Sequence, residues 1–142
     1  MPFRAAIGFC LIVLLLGMVS ACGENANQKE IAAVRRAAEQ YLSAEKDGNL
    51  EKVYGLLAPS SEFRRNYSYD QYRGIVADKS VRLADYDIRE ITGLNSETGR
   101  PELEMLADVL VLVRMFDPLT GLTTERETVF TFVKEKGVWY KG

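Results

Sequence analysis

The sequence predicts an α+β domain in which about three helices pack on one face of a curved antiparallel sheet of about four strands. Three observations carry this expectation. Apolar residues recur at helical spacing from Asn27 to about Lys79, and from Val81 onward they alternate with polar ones. The runs are separated by short stretches bearing Gly, Pro and Asn. A series of helices followed by a series of strands gives segregated layers, in place of the alternating units of a parallel sheet.

Asn27-Gln28-Lys29-Glu30 has the form of a capping box, with Asn27 as N-cap and Glu30 reaching back. Ile31, Val34, Ala38, Tyr41, Leu42 and Glu45 then fall on one helical face, and only Glu45 among them is polar. Arg35 and Glu39 sit four apart on the outer face, and Gly48 supplies a stop. Asn49 caps a shorter second helix carrying Leu50, Val53, Tyr54 and Leu57, which ends before Pro59. Ser68-Tyr69-Asp70-Gln71 opens a third, with Tyr72, Ile75 and Val76, reaching about Lys79.

The period then changes to two. "VRLADYDIREITGL" reads as a strand whose alternation breaks near Ala84-Asp85, where a bulge fits. After the turn "NSETGRP", Leu103, Met105, Ala107, Val109, Val111, Val113 and Met115 put seven apolar residues on one strand face. "DPLTG" turns the chain into a third strand, Thr124–Glu135, with Thr128, Phe130 and Phe132 alternating. A tight turn at Glu135-Lys136-Gly137 leads to the short closing strand "VWYK".

The amino-terminus has a different character. Ala5 to Ala21 are 17 residues without a charge, somewhat short of the about 20 that span a bilayer and close to the core of a secretory signal. The sequence after it is polar, with no Lys/Arg cluster to hold a stop-transfer helix. Val19-Ser20-Ala21-Cys22 resembles the lipobox of bacterial lipoproteins: an aliphatic residue, two small residues that a peptidase can admit, then the cysteine. That resemblance implies removal of residues 1–21 by cleavage between Ala21 and Cys22, and lipidation of Cys22 by two or three acyl chains, palmitate among them. It also implies a short tether at 22–26 and a folding domain at 27–142. Gly23 in place of Asp after the cysteine points to the outer membrane, facing the periplasm. Gly23–Ala26 spans about 14 Å when extended, which keeps the domain near the membrane.

Composition excludes several classes of chemistry. There is no histidine, which removes the commonest general base and the usual Ser–His and Cys–His pairs. Of the two cysteines, Cys10 leaves with the signal segment and Cys22 goes to lipid, so neither a disulfide framework nor a thiol site is expected. Loss of residues 1–21 changes the balance from 18 basic against 20 acidic residues to 17 against 20. A mildly acidic domain with dispersed cations is a poor ligand for a phosphate backbone, so no nucleic-acid partner is expected.

Element order and three phrases resemble the nuclear transport factor 2-like superfamily of cone-shaped α+β domains. The phrases are "EKDGNLEKVYGLLAPS" linking the first two helices, "SYDQYRGI" leading toward the first long strand, and the Gly-x-Trp close in "KGVWYK". The resemblance covers about residues 28–141. It implies either an enzyme of the isomerase, dehydratase or cyclase kind, with an acid and tyrosines inside the cone, or a non-catalytic binding domain without a cofactor. Fold alone does not choose between them.

Asp108 is the weak catalytic candidate, because a carboxylate lodged among Leu106, Leu110 and Leu112 could take up or release a proton. The plainer expectation places it on the open side of the sheet, since the opposite face is wholly apolar. Tyr41, Tyr54, Tyr72 and Tyr86 are candidate pocket-lining residues with hydroxyls to donate, although tyrosines at helical spacing are more often core residues with a wet tip. Asp85 and Asp87 could share a cation, but no third ligand accompanies them, so no metal site is expected. Arg35-Arg36 and Arg64-Arg65 could meet lipid head groups or an acidic partner, with ordinary surface charge the plainer reading. The strand 106–113 is apolar on both faces except at Asp108, so its outer face is expected to be covered by curvature of the chain, by a second copy or by another envelope protein. The expected function is that of a lipid-anchored accessory domain holding a small hydrophobic ligand or a protein partner near the membrane.

Overall fold

The computed structural model describes the backbone of residues 8–77, 80–96 and 98–142 and, within these, the side chains from Asn25 onward. Its contacts divide the chain into a leading unit, Met1–Ala32, and a larger unit, Ala33–Gly142. In the leading unit the expected helix start at Asn27 is corrected: α1 runs Gly8–Lys46. No proline interrupts this stretch, and a capping side chain stops a helix only where the backbone before it leaves helical geometry. The side chains of Ala21 and Cys22, the expected cleavage and lipidation positions, lie outside the described residues, as do those of the apolar run. Among the described residues no helix is long and apolar enough to cross a membrane.

In the larger unit, α1 buries Val34, Ala38, Tyr41, Leu42 and Ala44. It ends where Gly48 takes a φ of 65°, with the Gly48 N–H donating to Glu45 O and the Asn49 N–H to Ala44 O. This left-handed stop satisfies two terminal carbonyls, and a residue with Cβ would be strained there. Asn49 then caps α2 (Leu50–Leu56), its Oδ1 accepting from Lys52 N at 3.1 Å. α3 (Glu62–Asn66) was not anticipated. It is one turn capped by Ser61 and buries none of its residues, so it leaves no apolar periodicity to read. α4 spans Tyr69–Ala77 and opens on a reciprocal capping box. There the Ser68 N–H donates to Gln71 Oε1 and the Gln71 N–H to Ser68 Oγ. Among the described residues four helices therefore stand where about three were expected.

The four strands form one open antiparallel sheet in chain order: β1 (Arg82–Asn95), β2 (Met105–Asp117), β3 (Leu122–Glu135) and β4 (Val138–Lys141). The β1–β2 register shifts at Leu83/Asp85, where the alternation breaks in the sequence, and twice more at Ile88/Glu90 and Thr92/Asn95. On β2, Ala107, Val109, Val111 and Val113 are buried, with Met105 and Met115 packed beside them. Leu103 is a correction: β2 begins after it, and Leu103 joins Ala58 and Val133 in a separate small cluster. The β3–β4 turn uses two left-handed residues, Lys136 (φ 50°) and Gly137 (φ 78°), the backbone that suits a two-residue hairpin. The core lies between the helices and one sheet face, where Val34, Leu42, Val53, Val109, Val111 and Phe132 are fully buried.

Candidate functional site: a cavity between helices and sheet

A cavity of about 450 Å³ lies between the end of α1, α4 and the core face of the sheet. Leu42, Val76, Leu83, Val113, Met115 and Phe130 give it apolar walls. Two features of the sequence place its polar groups. Tyr41 and Glu45 are one helical turn apart on α1, so their side chains meet, and Tyr41 Oη donates to Glu45 Oε1 at 2.7 Å. Arg126 pairs with Val113 across the β2–β3 ladder and therefore projects from the core face, joining Arg82 among the cavity-lining residues.

The tyrosine hydroxyls stay protonated. Burial raises Tyr41 far above the ordinary phenol value, and the charge of Glu45 adds to the effect. Tyr72 is pushed up to about 12, again first by burial and then by Glu45. The Tyr41 ring is fixed by Phe130 and Phe132, each with its centroid 6.3 Å away, the second edge-on at 84°. The site thus offers an apolar interior, one hydroxyl–carboxylate pair and two guanidinium groups.

Of the four candidate tyrosines, only Tyr41 and Tyr72 line this cavity. Tyr54 instead donates to Tyr67 O at 2.6 Å and stacks with Tyr69 and Tyr72 among the short helices. Tyr86, on the edge strand β1, reaches Glu39 O at 3.5 Å and belongs to an open groove with Arg35, Arg36 and Lys52. Asp108 lies on the opposite face of the sheet, between Thr92 and Thr131, and accepts from Thr131 Oγ1 at 2.8 Å. Asp85 bonds Lys46 and Arg114, and Asp87 pairs with Arg89 at 3.0 Å. Among the described residues no group of three His, Cys, Asp or Glu side chains could hold a metal ion. Arg64 has a structural role: its Nη1 donates to the carbonyls of Tyr54, Gly55 and Leu57 at the end of α2.

Glu45, Arg82 and Arg126 are the cavity residues that motif reasoning passed over. Glu45 left a signal, as the one polar residue in the apolar stripe of α1. Arg126 left another, standing two positions before Thr128 on the alternation that carries Phe130 and Phe132.

The outer sheet face has a distinct make-up. Across neighbouring strands its rows read Glu90–Leu110–Val129 and Asp87–Leu112–Glu127, beside Thr92–Asp108–Thr131. An apolar strip is therefore rimmed by carboxylates, and Val129 within it is 57% exposed.

Fold and cavity together define an α+β domain with a largely apolar-walled cavity between its helices and sheet. Comparison with protein-family models gives no match, and comparison with curated proteins gives none either.

Proposed function

We propose that this protein is a lipid-anchored, non-catalytic binding domain of the cell envelope, holding a small hydrophobic molecule in the manner of nuclear transport factor 2-like domains. The cavity carries the reading: about 450 Å³ falls within the ~300–1,000 Å³ of small-molecule sites, and its walls are mainly apolar. Binding is favoured over isomerase-type catalysis by where the polar groups point. Asp108 is on the opposite face of the sheet, and the acid that does line the cavity, Glu45, is engaged by the Tyr41 hydroxyl, so neither group stands free for proton transfer or an oxyanion. Attachment through Cys22 would place the site beside a reservoir of apolar molecules.

Native mass spectrometry of the full chain purified from its own envelope tests this. A non-covalent mass that leaves on activation, while the acyl chains stay attached, is expected. Thr128 lines the cavity and is half-buried, so Thr128→Trp should fill the space and abolish the extra mass while far-UV circular dichroism is unchanged. A bare wild-type chain would sink the proposal.

The outer sheet face favours a protein partner as a second reading. Two copies facing each other there would set Glu90, Glu127 and Asp108 against their own images, so a cationic segment with apolar tips fits better than self-pairing. Mild oxidation of a Val129→Cys variant should then yield no linked pair. A rapid inter-copy disulfide would select a second copy instead.

A further inference from the structure

We infer that the guest of the cavity is a single-chain amphiphile with an anionic head, bound with its tail among the apolar walls and its head at Arg82 and Arg126. The inference rests on the cavity reading and adds the ligand class. Four arginines of the domain have partners: Arg114 pairs with Asp85 and Glu125, Arg89 with Asp87, Arg73 with Asp70, and Arg64 holds the carbonyls that end α2, whereas Arg35, Arg36, Arg65 and Arg100 line other grooves elsewhere on the surface. Arg82 and Arg126 line the cavity, are exposed, and make no ion pair among the described residues.

Among the described residues the cavity is lined by two guanidinium groups and one carboxylate, Glu45, which already accepts the Tyr41 hydroxyl. This local excess of positive charge occurs in a chain whose net charge is −2. A neutral apolar guest would leave both forks hydrated beside it, whereas a carboxylate or phosphate accepts their parallel N–H groups directly. Their positions suit such a guest. Arg126 stands across the ladder from Val113 on the core face, so its cation adjoins apolar wall, and Arg82, opposite Phe116 at the first position of β1, lines the cavity beside Val81. Head and tail can be satisfied together by one short molecule.

Isothermal titration calorimetry on the full chain in lipid nanodiscs, with empty nanodiscs subtracted, separates the possibilities. The probes are octanoate, octyl phosphate and 1-octanol, which share a tail and differ in the head. At least one anionic probe should bind about tenfold or more tighter than octanol, the worth of a charge-assisted hydrogen bond. Octanoate against octyl phosphate then tells which head the forks take. The Arg82→Gln/Arg126→Gln double variant should lose that advantage and bind octanol unchanged. Equal affinity for all three probes in the wild type would overturn the anionic head and leave the cavity reading standing. Binding of none of them would overturn both. The wild-type comparison decides even if the variant fails to fold.

Discussion

Phe132→Ala should destabilise the larger unit by about 3–5 kcal/mol, a large share of what a domain of this size has. Phe132 has no exposed surface and lies opposite Ala107 on β2, so the residue facing it is too small to fill the space left behind. Its ring also meets Tyr41 edge-on, linking β3 to α1 at the centre of the core. Truncation removes the transfer gain and leaves a void between helix and sheet that neither element can close by relaxing. The urea unfolding midpoint, followed through the single and nearly buried Trp139, measures the loss. Val129→Ala on the same strand is the control, since Val129 is largely exposed on the other face and should change stability by under about 0.5 kcal/mol. Equal effects of the two substitutions would contradict the assignment of faces on β3.

That assignment of faces was legible because period-two alternation carries it directly. The apolar set Ala107, Val109, Val111 and Val113 had to share one side, and the break at Ala84-Asp85 marked the bulge found between Leu83 and Asp85. Stops with a stereochemical cause were equally readable, as at Gly48 and at Lys136-Gly137. Periodicity misled where it ran past the end of an element: Leu103 continues the alternation of β2 in sequence, but the chain turns between Arg100 and Leu103. It was silent for α3, which buries nothing. The cavity was harder to read. Tyr41 and Glu45 are neighbours by local helix geometry, but Arg82 and Arg126 lie 44 positions apart and meet at one cavity only when the sheet closes over α1 and α4. Tyr86 shows the converse. Its position pairs it with Val113, yet β1 is an edge strand, and the long side chain reaches the carbonyl of Glu39 in the neighbouring groove.

Cys22→Ala should have the largest effect on where the protein resides. The wild-type chain is expected to lack residues 1–21 and to carry two or three acyl chains on Cys22. The variant is expected to keep its full polypeptide mass and to lose lipid altogether. Each buried methylene contributes about 0.8 kcal/mol, so two chains hold a protein at a bilayer far more firmly than one. The uncut run of 17 uncharged residues is a weaker anchor, being somewhat short of the about 20 needed to span. Cleavage also requires extended backbone at Ala21–Cys22, where the uncut chain is helical. Gly17 and Gly23 bracket the site, and each lowers helix stability by about 1 kcal/mol relative to alanine, so local unwinding for a peptidase is inexpensive there. Intact-mass spectrometry of the membrane fraction reads both changes at once. Normal processing of the Cys22→Ala chain, or a wild-type chain that still begins at Met1, would remove the lipid anchor from the proposal. The cavity would then have to collect its amphiphile from solution, where such molecules are scarce, instead of from the membrane surface.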